Sequence, residues 1–597
     1  MPASVAGLMR APAVCFAGLA LIALVAAAPT IAEEKRAEGA QFISATVASE
    51  PRTSGRVEPG RPARLSVSVR DPASGFALGG LGIAAWIVPD DGTSCQDWYA
   101  RVGRASQLPD QVIPLIGFDI IQATRDRHVA LVDPVLDLAS ANLRAVTAIR
   151  ALPSAWAITR DGDTLGMIGG QDGALTLADA ALRRLTPVAL PAPAHSLTAV
   201  EEGFWVGLRD GRAVPVDGAG RIAATVPVGS GAVTVLADRD DRLIALSADG
   251  QGRGLQAGAP GFRLPGPVGA AVLAPLANSL FALAADGRTL YAADLDEPSD
   301  VRRLPLAFAA DRIAADPTGR WVALADAAGT TIAIVDTRTT SVRWSMVMPD
   351  PVIEMTFSDA FLYFMHRRQG GVTRVTFDAD GAAPGLAAIA AGMASDVPQV
   401  AGPLPHLVRI PAGGVLVASS RERRAYIVSE SGAQAAMAMV PLRAGETAGI
   451  AIRQRGMVPA KARGSYVASF TAPAEGAYRA VIRTDSPDLL QCRSFVVGTG
   501  RPRMARARPV AAVAATEMQV SLVETGIRLT LSDATVPARA LLMRADGSWR
   551  SFLDPVRQGD GFLLATRDRA APGAYRLFVE VIAADGTVAT LSRDLAL

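Results

Sequence analysis

Cysteine is scarce in this chain, with only Cys15, Cys95 and Cys492 in 597 residues. No C-x-x-C-H stands among them, which excludes covalent haem attachment, and no histidine lies at ligand spacing beside Cys95 or Cys492 to make a zinc site. Catalytic signatures are missing too: there is no Walker loop, no G-x-G-x-x-G between strand and helix, no G-x-S-x-G elbow and no H-E-x-x-H. Aspartate and glutamate are plentiful, yet no spacing pairs two of them for acid and base work. Long apolar runs are absent after the N-terminus, where the hydropathy comes from alanine and from short stretches broken by Asp, Arg, Gly and Pro, so no later segment reads as a membrane span.

The one long apolar run is N-terminal. Arg10 supplies a positive start, APAVCFAGLALIALVAAA an apolar core, and Thr30-Ile31-Ala32 a small-residue exit before Glu33, so residues 1–32 read as a secretory signal and the mature chain as periplasmic. An uncleaved anchor is the competing reading, because the run is long for a signal. After cleavage 58 basic residues face 57 acidic ones, a balance that argues against nucleic acid as partner and leaves any electrostatic steering to a local patch. About 565 residues remain, too many for a single core. Cys95 and Cys492 form an even pair in a compartment that permits disulfides; a bond between them would close a loop of 397 residues, worth roughly 5 kcal/mol or more by chain entropy.

What the chain has in abundance is a repeat. Apolar hairpins recur at Phe118, Leu165, Phe204, Leu243, Leu280, Trp321, Leu362 and Val415, with spacings of 47, 39, 39, 37, 41, 41 and 53 residues. That period marks a β-propeller. In RIAADPTGRWVALADAAGTTIAIVDTRTTSVRWSMVM four strand-length runs are separated by DPTG, DAAG and TRTT turns, so each unit is a four-stranded blade. The expected fold is all-β, a seven- or eight-bladed propeller over residues 110–432, the count left open because the first and last units could share a blade. In six units the third run ends on an aspartate (Asp133, Asp179, Asp217, Asp294, Asp336, Asp378), which reads as turn chemistry.

Strand-like runs flank the repeats. QFISATVA (41–48), ARLSVSVRD (63–71) and GLGIAAWIVP (80–89) precede them, within an N-terminal segment 40–105; ETAGIAIRQ (446–454), GSYVASFTA (464–472), GAYRAVIRT (476–484) and CRSFVVG (492–498) follow, within 440–499. Three and four make the seven strands of an Ig-like sandwich, into which the propeller would be inserted, with Cys95 and Cys492 as the staple; two separate small β domains are the alternative. Residues 500–515 read as a Pro/Ala/Arg linker and 516–597 as a last small β domain.

Strand order assigns loops to faces. In a propeller the loops between second and third strands share a rim with those joining one blade to the next. On that rim fall His128, His195, His366 and His406, candidates for a metal or haem ligand or for four unrelated loop residues. Hairpin tips of three units that ring closure makes neighbours add Arg367 and Arg368, Arg421, Arg423 and Arg424, and Arg125 and Arg127, partly offset by Asp126 and Glu422. Arginine forks suit carboxylate or phosphate, so this arc is the candidate surface for an anionic ligand or an acidic protein. The 53-residue spacing before Val415 comes from an Ala/Gly/Pro-rich insertion on the same rim, a candidate docking loop carrying Met393 and Asp396.

The units VALADAAGTTIAIVDTRTTSVRWSM and IIQATRDRHVALVDP resemble YVTN-type repeat propellers and the haem-binding propeller of cytochrome cd-type nitrite reductases, over about residues 112–430. GSYVASFTAPAEGAYRAVIRT is similar to a pattern of secreted Ig-like and YtkA-like accessory domains. The resemblance implies the fold; for function it implies either a non-catalytic protein that binds a periplasmic redox enzyme or cytochrome, or assists assembly of a redox or metalloenzyme, or a carrier of haem or a transition metal. The cytochrome c domain of the reductases and the vicinal cysteines of quinoprotein propellers are both missing.

Overall fold

Apolar runs of five to seven residues between tight turns fold into antiparallel meanders, and the computed structural model is built of twelve four-stranded sheets among its described residues. It describes residues 43–498 and 518–597, apart from 50–56, 72–74, 103–111, 135–141, 201–202, 238–241, 257–258, 260, 275–277, 298–299, 318, 359, 378–382, 394–402, 412, 421, 431–434, 461, 485–488, 524–525, 532–535, 545–549, 554, 565–572 and 583–587. The expected signal at 1–32 and the linker at 500–515 lie outside the described residues, as do Arg421, Asp378 and Asp396.

Eight of the sheets make a ring. Seven of them follow one another in sequence, their innermost strands being Pro153–Ile158, Ala194–Val200, Val233–Ala237, Val268–Ala274, Ala310–Ala315, Val352–Phe357 and Leu407–Arg409. The remaining one is composite: Phe118–Thr124, His128–Val132 and Leu143–Ala148 take Thr447–Gln454 as their innermost partner, in a register that sets Ala451 opposite Ile121. This composite sheet is counted here as the first. Apolar clusters join every successive pair, and the last pair returns to the start, with Ile410, Leu416 and Ala425 of the eighth sheet packed on Ile120, Ala130 and Ile450 of the first. The ring is therefore a β-propeller.

Burial explains the sequence pattern. A second strand has a sheet against each face, so Phe118–Thr124, Leu243–Ser247, Leu362–His366 and Val415–Ser419 are buried at every position and are mainly apolar, with Asp119, Gln122 and Thr124 the polar exceptions within the first and Ser247, His366 and Ser419 at the ends of the others. The outermost strand Ser341–Val347 is exposed at most of its positions. Six of the eight innermost strands carry a register shift near their start, at Pro153/Ala155, Ala194/Ser196, Val268/Ala270, Ala310/Arg312, Val352/Glu354 and Thr447/Gly449. A bulge bends and twists the strand and re-aims one side chain. Here three of the re-aimed side chains reach the next sheet: Ser196 Oγ donates to Val233 O (2.8 Å), Arg312 Nη1 to Val352 O (2.8 Å), and Glu354 accepts from the amide of His406 (2.7 Å).

The flanking strands differ from the seven-strand expectation. ETAGIAIRQ closes the ring instead of joining the sandwich, because Phe118–Thr124 would otherwise present an open edge along the narrow centre of the ring. The sandwich gains Ile113–Leu115 and Val458–Pro459 in exchange, giving sheets ordered Ile43–Ser49, Pro62–Val69, Ser465–Thr471, Val458–Pro459 and Ile113–Leu115, Ile83–Pro89, Gly476–Thr484, Leu490–Val497. Segments from both sides of the ring thus share each sheet, with Leu65 opposite Ala468 and Trp86 opposite Val481. Leu65, Val67, Ile87, Tyr466 and Ile482 fill its core, where Tyr466 Oη donates to Leu78 O and accepts from the Leu81 amide, both at 2.9 Å.

Cys95 opens a short helix, Cys95–Val102, that the strand pattern did not anticipate. Ser94 caps it, its Oγ accepting from the Asp97 amide (3.1 Å) and donating to the Asp97 carboxylate (2.6 Å). Trp98 anchors it against Trp86, and Cys95 is bonded to Cys492 with 5.8 Å between their Cα atoms. Two further sheets form residues 518–597 around Leu529, Leu542, Leu577 and Val579. This part is fastened to the sandwich by Arg576, which contacts both Asp71 and Asp594 and lies over the Phe76 ring.

Candidate functional site: the arginine rim

The hairpins between second and third strands are tight turns that need one residue at positive φ. In the third and fourth sheets that residue is Gly211 (φ 91°) or Gly250 (φ 87°), whose carbonyl accepts from the amide that follows the outermost strand, Val228 or Leu264. The same bond is made by Arg127 to Ile149 in the first sheet and by Arg423 to Leu442 in the eighth, at φ 61° and 55°. A side chain with a Cβ costs about 1–2 kcal/mol in that conformation. Two arginines therefore stand where the third and fourth sheets use glycine.

Around them lie the other rim arginines. Arg127, Arg368, Arg423 and Arg424 are exposed and Arg367 is half-buried. None of these five forms an ion pair with a described residue; Arg125 does, with Glu446 at 2.7 Å. The acidic neighbours are occupied. Glu422 accepts from the Met393 amide (2.9 Å) and from Tyr426 Oη (3.0 Å), raising the Tyr426 pKa through desolvation and the adjoining carboxylate. Asp350 accepts from the amides of Arg368 and Gln369 at 3.1 and 2.8 Å. Asp126 is held by Arg443 at 3.0 Å and has its pKa lowered, first by its bond from Thr124. Arg443 escaped the sequence reading because it follows the outermost strand of the eighth sheet and meets Asp126 only through ring closure.

The histidines divide into two kinds. His366 is buried, with Nδ1 donating to Asp350 O (3.0 Å) and Nε2 hydrogen-bonded to Thr373 Oγ1 (2.7 Å), so that both ring nitrogens are engaged. His406 is also buried, with Nδ1 at 3.1 Å from Glu354 Oε1 and Nε2 donating to Thr447 O (3.2 Å). Burial lowers its pKa, but the Glu354 carboxylate and the Thr447 carbonyl outweigh that and leave it raised. Neither imidazole has a free nitrogen, so these two do not fit the haem or metal ligand role that the resemblance implied. His128 is half-exposed beside Asp126 at 3.3 Å, and His195 is exposed, its pKa lowered by partial desolvation and by Arg209. Among the described residues no three His, Cys, Asp or Glu side chains gather as a metal site.

The aspartates that end third strands behave as turn residues. Asp179 Oδ1 accepts from the Arg183 and Arg184 amides, Asp217 Oδ1 from Ala219 and Arg221, and Asp336 Oδ1 from Arg338. Asp133 departs from them, joined by Arg144 and Arg455.

No protein-family model matches the chain, and no curated protein matches it. Solved structures do. A functionally unknown protein from Desulfotomaculum acetoxidans shares 13% identity, covering 56% of this chain and 98% of that one at a TM-score of 0.37. Streptogramin B lyase shares 12%, over 45% and 91%, at 0.35. Dihydro-heme d1 dehydrogenase NirN shares 12%, over 67% and 77%, at 0.33.

Proposed function

We propose that the chain is a non-catalytic binding protein whose arginine rim receives an acidic surface of a protein partner. The observation that carries this reading is the pair Arg127 and Arg423, each kept in a left-handed turn that glycine would occupy at lower cost. With Arg367, Arg368 and Arg424 they form a charged arc free of described carboxylate partners, the arrangement that steers and orients an anionic surface. The ring is taken as eight-bladed and inserted in a split sandwich of Ig-like type. The compartment is taken as the periplasm, consistent with the N-terminal signal pattern and the Cys95–Cys492 bond. A redox enzyme or cytochrome is the class of partner the repeat resemblance favours.

The test is capture from native-host periplasmic extract by the wild type and by a variant with Arg127, Arg367, Arg368, Arg423 and Arg424 all changed to Glu. A partner held at low salt, released by salt and lost from the variant is expected. Equal capture by both proteins would refute the rim as the binding surface.

A further inference from the structure

On the opposite face of the ring, where the first two sheets meet the sandwich, lies a cavity of about 910 Å³. Its floor is a charge network at the point of ring closure. Asp119, fully buried, is 3.3 Å from Arg455 Nε, 3.4 Å from Arg453 Nη1 and 3.9 Å from Arg144 Nε. Asp133 meets Arg455 at 3.1 Å and is bonded to Arg144. Three guanidinium groups thus share two carboxylates. Arg183 adds a fourth on the rim of the cavity; Asp161 on its wall is taken by Arg64 of the sandwich at 3.3 Å, and Asp163 places a further carboxylate near Arg453.

Hydrogen-bonding capacity is left unmet in this cavity, on Asp119 Oδ1 as well as on two donors. Arg455 Nε, on the floor, and Ser469 Oγ, on the sandwich wall, are shielded from solvent with no hydrogen-bond partner among the described residues. Buried polar groups are normally satisfied, and four arginines line the cavity against two carboxylates, so the ligand chemistry that complements it is an acceptor with negative charge. The wall beside them is apolar, with Leu115, Leu131 and Phe470. The size is that of a small-molecule site.

We propose that this junction binds an organic carboxylate with an apolar body, its head group on Arg144, Arg183 and Arg453 and its body against Leu115 and Phe470. The site is separate from the arginine rim. Because the ring closes through Arg453 and Arg455 while Ser469 belongs to the sandwich, the ligand bridges the two.

Calorimetric titration of the full, disulfide-bonded protein with octanoate, octan-1-ol and inorganic phosphate tests this. Saturable binding of octanoate at one site is expected, without binding of octan-1-ol and with weaker binding of phosphate. Arg183→Gln, at an exposed position, is expected to weaken octanoate about tenfold or more, and Arg127→Gln on the far rim to leave it unchanged. Absence of octanoate binding, equal binding of octan-1-ol, phosphate binding without octanoate, or an equal effect of the two substitutions would each overturn the proposal.

Discussion

Glu354 and His406 tie two neighbouring sheets of the ring together. Glu354 Oε2 accepts from the amides of His406 and Leu407 at 2.7 and 2.8 Å, while its other oxygen lies 3.1 Å from the imidazole of His406. The imidazole in turn donates to Thr447 O at the start of the closing strand, so one buried pair spans the seventh, eighth and first sheets.

This pair predicts a pH dependence. The folded-state pKa of His406 is raised, so its contribution to stability is fully present below the unfolded value of about 6.5 and is lost as pH rises through the folded value. Glu354→Gln removes the charge partner and is expected to cost about 3 kcal/mol at pH 6. Thermal unfolding of both proteins between about pH 6 and pH 9 checks this through the change in the gap between their midpoints. The gap should narrow with rising pH; a constant or widening gap would refute it.

Arg127→Gly and Arg423→Gly are expected to raise stability by about 1 kcal/mol each, by removing a Cβ from a left-handed turn, while weakening partner capture. Melting temperature and capture are read on the same preparations. A loss of stability would show that the two side chains hold the turn instead of serving binding.

Gly329→Ala tests the close approach of adjacent sheets. Gly329 lies at φ 73°, and a Cβ there would sit 2.1 Å from Val352 O, on the innermost strand of the next sheet. Strain and overlap together predict a loss of about 2–4 kcal/mol or failure to fold. An unchanged unfolding midpoint would contradict the packing.

Removing Cys95 and Cys492 together by serine is expected to cost roughly 2–5 kcal/mol, since their bond links segments 397 residues apart. Wild-type protein should resist alkylation until reduced. Alkylation of either thiol without reductant would show that the bond is absent.

The ring was legible because a strand packed between two sheets must be mainly apolar, and turns between such strands are rich in polar residues and glycine; eight hairpins at near-regular spacing say both. The arginine hairpins could be placed on one rim for the same reason, since strand order fixes which end each loop occupies. Arg443, by contrast, gave no signal, and ETAGIAIRQ was misassigned because a strand of mixed apolar and polar residues fits a sandwich as well as a ring edge. His366 and His406 looked like ligands only until their hydrogen-bond partners were visible, and those partners, Thr373 and Glu354, carry no mark in the sequence that distinguishes them from other strand residues.

By itself, the sequence determined the repeating unit, the turn residues and the order of strands, all of which depend on contacts between residues close in the chain. Only the tertiary structure decided which strand closes the ring, which carboxylate holds which arginine, and that three guanidinium groups meet two carboxylates beneath the sandwich. The pairings of Arg453 with Asp119 and of Arg455 with Asp133 join residues more than 300 positions apart. Charge and hydrogen bonding act over a few ångströms, so they are settled by where the folded chain brings groups together, and nothing local records it.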